Sequence, residues 1–274
     1  MYKLIAIDLD GTLLNDEKEI SGENLQVINE AISKGYEVVI ATGRRYWSAK
    51  DLTKEIDSHM TILANNGNIV RNSIDDKTLI SKYLDKYDFR NVLEEGKRRK
   101  LDPIIHLDQY ENGFDVAIEH HRDHENYYNY LLDSRYRQIK DLTQIDDGIL
   151  AVVYPGKAKQ LHDFYSELID KYPGVYNAHV MENMVLSEAM LEVMNPKGTK
   201  WLSLVEYAET IDIKPEEIIA IGDNNNDISM IRGAGLGIAM NNGSEALKKM
   251  ADAVSLKDNN QSGVAFELKR VLGI

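Results

Sequence analysis

Apolar residues in this chain follow two rhythms. Leu4–Ile7 and Ile218–Ile221 are apolar at every position, and Glu37–Ala41, Thr61–Ala64, Leu236–Met240 and Ala253–Ser255 are nearly so. Runs this short read as strands buried on both faces. Between them lie stretches with apolar residues three and four apart. Ser21–Ser33 carries Leu25, Ile28 and Ile32 at that spacing and stops before Gly35, which predicts a helix. Lys200–Thr210, Asn226–Gly233 and Ser244–Met250 are predicted helices on the same grounds. Strands that alternate with helices predict an α/β fold built on a parallel sheet.

The middle of the chain has another character. Helical spacing over Asp88–Lys100 gives way to alternation over Pro103–Tyr110 and Phe114–Glu119. A helix over Asp123–Arg135, a strand over Ile149–Tyr154 and a helix over Lys157–Lys171 follow. Two strand-like runs, Gly174–Met181 and Val185–Glu188, close the region. Neighbouring strands with short connections predict an antiparallel sheet. The reading is a second α/β domain, 83–190, inserted into a first made of 1–82 and 191–274. His120, His121 and His124 read as exposed residues near a turn rather than as metal ligands, and Glu182, Asn183 and Met184 could face a ligand.

Size and charge narrow the functions. A chain of 274 residues is long enough for two ordinary domains. Its formal net charge of −13 disfavours a nucleic-acid partner. No apolar run reaches the ~18 residues of a membrane span, and the four apolar residues Leu4–Ile7 are too few for an export signal. The absence of cysteine excludes a disulfide, a zinc–thiolate site or a thiol nucleophile. The lack of an export signal and of cysteine points to the cytoplasm, and a monomer or weak homodimer is expected without a feature of the sequence that decides it. An anionic substrate would need local positive charge from a metal, a lysine or helix N-termini.

The candidate chemistry sits where the strands end. The first strand runs into Asp8-Leu9-Asp10-Gly11-Thr12, the second into Thr42-Gly43-Arg44 and the third into Asn65-Asn66-Gly67. The run Ile218–Ile221 leads into Gly222-Asp223-Asn224-Asn225-Asn226-Asp227. Ligands of open parallel sheets bind at the carboxyl ends of strands. Asp10-Gly11 alone reads equally well as a turn. Asp8 changes that, because an acid closing a buried strand is costly unless paired. Neither acidic segment is an EF-hand: glycine is missing at the sixth position of both.

These segments, in this order, resemble the first, second and fourth motifs of the haloacid dehalogenase superfamily of phosphohydrolases. The place of the insertion resembles the Cof-type subgroup with a type IIB cap. The resemblance covers the whole chain. It implies a Rossmann-like doubly wound parallel sheet core with an inserted α/β cap domain that selects the substrate. It implies a Mg²⁺-dependent phosphatase acting on a small-molecule phosphate ester, such as a sugar phosphate, through an aspartyl-phosphate. Asp8 would be the nucleophile and Asp10 the general acid–base. Mg²⁺ would be held by the side chain of Asp8, the main-chain carbonyl of Asp10, Asp223, and Asp227 directly or through water. Leu9, Thr42, Gly43 and Asn226 would bind the phosphate, with Arg44 left open between substrate and solvent. A lysine should neutralise nucleophile and phosphate. Lys197 precedes glycine as the family's lysine often does. Lys200 fits the family's spacing to Asp223 better, and Thr199 before it is a ready N-cap. Lys200 is therefore the expected residue. The alternatives are a phosphotransferase such as a phosphomutase, and a phospho-accepting signalling module.

Overall fold

The structure, a computed structural model, describes residues 1–56, 59–119, 135–182 and 187–274. It divides into two compact units, Met1–Ser81 with Thr199–Ile274, and Lys82–Gly198. The reading from the sequence draws the first boundary at 82/83, and the units part between Ser81 and Lys82. The second falls after Gly198 rather than at 190/191, because the strand Ala189–Met194 runs across the expected boundary and pairs inside the inserted unit.

The first unit is built on β1 (Leu4–Ile7), β2 (Glu37–Ala41), β3 (Thr61–Ala64), β4 (Ile69–Asn72) and β5 (Thr78–Ser81). After the insertion come β12 (Ile218–Gly222), β13 (Leu236–Ala239) and β14 (Ala253–Val254). They form one sheet in the order β14-β13-β12-β1-β2-β3-β4-β5. From β14 to β3 every pair is parallel, and β4 and β5 add an antiparallel edge. All four residues of β1 are fully buried, so both faces of the sheet are covered, which is why the run carries no polar position. Leu4 and Ala6 pack with Leu204, Ala208, Met230 and Ile231 from the helices Lys200–Thr210 and Ile228–Gly233. The helix Gly22–Ser33 packs against a C-terminal helix, Gly263–Leu272, that the hydrophobic pattern does not single out. Ser21 caps the former by accepting the N–H of Asn24 at 3.2 Å.

The chain order fixes where a site can form. From β1 the chain moves to β2 on one side, and later returns to β12 on the other. The loops leaving β1 and β12 diverge from a shared edge, the switch point at which such sheets bind ligands.

The inserted unit has a six-stranded sheet. Its strands are β6 (Ile104–Leu107), β7 (Val116–Glu119), β8 (Tyr136–Ile139), β9 (Ile149–Gly156), β10 (Asn177–Glu182) and β11 (Ala189–Met194), in the order β10-β11-β9-β6-β7-β8. The sheet is antiparallel as expected except for the parallel pair β7–β8. The helices Lys86–Arg98 and Ala158–Lys171 supply Phe89, Val92, Phe164 and Leu168 to its core. The expected strand Val185–Glu188 is not formed as drawn: Ser187 and Glu188 are bends, residues 185–186 lie outside the described residues, and pairing begins at Ala189. The expected helix Asp123–Arg135 lies outside the described residues up to 134, as do His120, His121, His124, Asn183 and Met184. Among the described residues no helix is long and apolar enough to cross a membrane.

Candidate active site

The loops at the carboxyl ends of β1, β2, β3 and β12 supply the candidate residues. Asp8 follows β1 directly, its N–H still donating to Ile221 O of β12 at 2.9 Å. Asp223 and Asp227 lie on the turn leaving β12, where Asn225–Asp227 forms a 3₁₀ turn. Asp8, Asp223 and Asp227 converge: each offers a carboxylate oxygen, and these atoms lie within 4.8 Å of one another. Two glycines permit the approach. A Cβ on Gly11, which has φ +75°, would stand 2.5 Å from Asp223 Oδ2. One on Gly222 would stand 2.6 Å from Asp227 Oδ2.

Lys200 answers this concentration of acid. Its ammonium donates to Asp8 Oδ1 at 2.6 Å and to Asp227 Oδ1 at 2.7 Å, and its side chain has no exposure. Thr199 caps the helix that carries it, accepting the N–H of Leu202 at 3.1 Å. Lys197 is exposed, lies in the other unit and uses its backbone N–H on Asn195 Oδ1. The structure thus brings Lys200, not Lys197, to the acids. Asp227 is spent twice over, since its Oδ2 accepts the N–H groups of Asp223 and Asn224, each at 3.1 Å. That makes it the keystone of the turn as well as the partner of Lys200.

Protonation follows from the crowding. Burial drives the Asp8 carboxyl well above its ordinary range. Lys200 pulls it back, and Asp227 and Asp223 push it up again. Burial and the nearby Asp227 push Asp223 up to about 6. Burial alone would lower the Lys200 ammonium, but Asp227 and Asp8 overcome it and hold the group charged. Three carboxylates face a single ammonium, so a further cation would relieve the repulsion. Hard oxygen donors without sulfur or imidazole suit a magnesium-like ion. The residues present fit such a group.

Asp10 does not join the three acids. Its Oδ2 accepts Arg44 Nε at 2.5 Å, and its Oδ1 accepts Arg44 Nη2 at 2.7 Å and Lys18 Nζ at 2.8 Å. Burial raises its pKa, but Arg44 and Lys18 outweigh that and hold it below the ordinary value. Arg44, left open by the sequence, is therefore a partner of Asp10. Nothing in the sequence marks Lys18, an exposed lysine at a turn.

The expected phosphate ligands form a neighbouring group. Thr42 is buried, and its Oγ1 accepts the Arg44 N–H at 3.0 Å. Asn226 Nδ2 donates to Asn66 Oδ1 at 3.1 Å, and the same oxygen lies 3.2 Å from where a Cβ on Gly43 would be. Asn65, Asn66 and Gly67 all have positive φ, so the turn leaving β3 is left-handed throughout and aims Asn66 at Gly43 and Asn226. Leu9 is fully buried directly after Asp8.

Residues 5–268 match the haloacid dehalogenase-like hydrolase family. The chain belongs to that family. A relative from Bacillus subtilis, Phosphatase YwpJ, is 28% identical over 98% of this chain and 100% of its own. Another from that organism, 5-amino-6-(5-phospho-D-ribitylamino)uracil phosphatase YcsE, is 30% identical over 97% of this chain and 94% of its own. Among solved structures, a haloacid dehalogenase-like hydrolase from Bacteroides thetaiotaomicron superposes with a TM-score of 0.83 at 30% identity. It covers 99% of this chain and 100% of that one. The chain is accordingly a phosphoric monoester hydrolase of the haloacid dehalogenase superfamily, Cof-type, with an α/β core of the expected parallel kind.

Proposed function

We propose that the protein is a Mg²⁺-dependent phosphatase that hydrolyses a small phosphorylated metabolite, of the sugar-phosphate kind, through a phosphoryl group carried on Asp8. The observation that carries the reading is the Asp8–Lys200–Asp227 chain of contacts, in which a buried carboxylate at a strand end keeps a charged partner. The Bacillus relative named for a phosphoribityl compound supports a phosphorylated polyol or sugar as substrate class.

Asp8 would attack phosphorus with one carboxylate oxygen. The ester P–O bond breaks, and the leaving alkoxide takes its proton from Asp10. Asp10, now a carboxylate, then removes a proton from water. The water oxygen attacks phosphorus, the Asp8–phosphorus bond breaks, and free phosphate leaves with Asp8 restored. Lys200 favours the ionised form of Asp8 against the upward push of burial and would offset charge on the phosphoryl oxygens. Thr42, Asn226 and the N–H groups of Leu9 and Gly43 would hold those oxygens. Asp8, the Asp10 carbonyl and Asp223 would hold Mg²⁺, with Asp227 behind them. When bound, the ion supplies charge neutralisation between nucleophile and phosphate. The unit Lys82–Gly198 would choose among leaving groups.

Rapid-quench labelling with a ³²P-labelled sugar phosphate tests this. Wild-type protein should carry acid-stable label during turnover and release inorganic phosphate, and Asp8→Asn should do neither. Label that persists without phosphate release would indicate signalling. Label passed to a second sugar would indicate a mutase.

A further inference from the structure

Strand pairing holds β1 only as far as Ile7, yet both acids assigned to the chemistry lie beyond it, on the loop to Ile20. The loop is turned on itself by Leu13 N–H to Asp8 O at 3.3 Å and Leu14 N–H to Leu9 O at 2.9 Å. Besides the Arg44–Asp10 pair, a set of asparagines ties it to the rest of the unit. Asn242 Nδ2 donates to Gly11 O at 2.8 Å, Asn24 Nδ2 to Leu13 O at 3.2 Å and Asn259 Nδ2 to Leu14 O at 3.1 Å.

The same amides reach into the C-terminal part of the chain. Asn242 Oδ1 accepts the N–H of Asn259 at 3.2 Å, and Asn24 Oδ1 accepts the N–H of Ala265 at 2.9 Å. Asn259 spends a second donation on Asp16 Oδ1 at 3.1 Å. A primary amide is suited to this: it donates twice and accepts in one plane, so one side chain can join two backbone segments. Asn24 and Asn259 are buried, where an unmatched carbonyl of the loop would be costly.

The clasp bears on the acids through Gly11. That residue lies against the Asp223 carboxylate, and Thr12 Oγ1 next to it donates to Asp223 Oδ1 at 3.2 Å. The turn carrying Asn242 also touches Asp223 from its far side, through Ser244 N–H to Asp223 O at 2.8 Å. One turn thus grips the loop from β1 and the loop from β12.

We propose that Asn24, Asn242 and Asn259 are positioning residues for phosphoryl transfer, a clasp that fixes Asp10-Gly11-Thr12 against Asp223. This rests on the roles proposed above for Asp8 and Asp10. None of the three contacts substrate in this assignment; they act by holding the loop, where a misplacement of about 1 Å can cost about 10²-fold in rate.

The decisive variant is Asn242→Ala in the full chain, because Asn242 is exposed and its loss leaves the buried core intact. Steady-state kinetics on a sugar phosphate should show kcat down about 10–100-fold, the range typical of residues that orient a site from behind, with KM changed less than about threefold. Amide hydrogen exchange at Thr12–Leu14 should quicken while the melting temperature stays within a few degrees. Asn259→Ala should lower both kcat and stability. A kcat within about twofold of wild type in Asn242→Ala overturns the clasp. So does a kcat that falls only in step with lost folded protein. Failure of the underlying reading looks different: full activity in Asp8→Asn, with the clasp falling alongside it.

Discussion

Both carboxylate oxygens of Asp10 are occupied by the guanidinium of Arg44. A fork held this way is the strong, planar form of the ion pair. It fixes the side chain, and it opposes the protonated form that a general acid needs. The acid proposed for the leaving group is therefore stored as an ionised pair and has to be released, in part, as the ester arrives.

Removing the fork should be visible in the pH profile. The profile of kcat/KM reports groups of the free enzyme, and a general acid that must be protonated sets the alkaline limb. Burial raises the Asp10 pKa and Arg44 opposes it. In Arg44→Ala the pKa should rise, so the alkaline limb should move to higher pH than in wild type. A limb that stays in place would assign the proton to another group.

Lys200 and Lys197 should part company in both stability and activity. Lys200→Met leaves Asp8 and Asp227 buried without their cation, a loss of about 3–5 kcal/mol for a broken buried pair, and phosphatase activity should vanish. Lys197→Ala, at an exposed position, should stay within about 0.5 kcal/mol of wild type and keep its turnover. Thermal melts and a phosphate-release assay on the two variants suffice. Inactivity of the Lys197 variant alone would reverse the assignment.

Gly11→Ala isolates the contact with Asp223. Gly11 and Gly35 both have positive φ, but a Cβ on Gly35 meets nothing within 4 Å. Each alanine should cost roughly 1–2 kcal/mol of backbone strain. Only Gly11→Ala should also displace Asp223 and weaken Mg²⁺ binding, read by calorimetry on substrate-free protein. Equal Mg²⁺ affinity in the two variants would count against Asp223 as a ligand.

The inserted unit has a titration of its own. His179 Nε2 lies 3.2 Å from Glu192 Oε2 across the β10–β11 pair. Burial lowers the His179 pKa, but the hydrogen bond and charge of Glu192 overcome it and leave it raised. A raised folded-state pKa gives stability that is complete below the unfolded value of about 6.5 and is lost as pH rises through the folded one. His179→Gln should therefore narrow its stability gap to wild type as pH climbs from about 5.5 to 8.5. A gap constant over that range would mean the histidine does not change charge there.

The sequence was most legible where burial leaves no choice. Strands such as Leu4–Ile7 are covered on both faces, so their boundaries are written in an unbroken apolar run. Lys200 was legible because Thr199 marks the start of its helix, which agrees with the spacing to Asp223 that the resemblance implies. The edge hairpin β4–β5 was not, since Arg71, Asn72, Thr78 and Ser81 make its strands look like loop. Strand β11 was displaced because Glu192 interrupts its apolar run, and its pairing with His179 offsets the cost of a buried acid there. The asparagine clasp and the Arg44 fork were out of reach for a simpler reason: their partners lie from 11 to 245 residues away in the chain, and nothing local marks them.

The sheet order also sets a timetable for assembly. Strand β1 sits between β2, its neighbour in the chain, and β12, to which it is joined only at Leu4↔Ile218 and onward. During synthesis the whole of Lys82–Gly198 emerges before that second partner exists. The inserted unit can close its own sheet from contiguous chain, whereas the first must keep an all-apolar strand with an open flank until near the end. Nascent protein cut short before Ile218 is thus the form most exposed to self-association, and the one chaperones have most reason to meet.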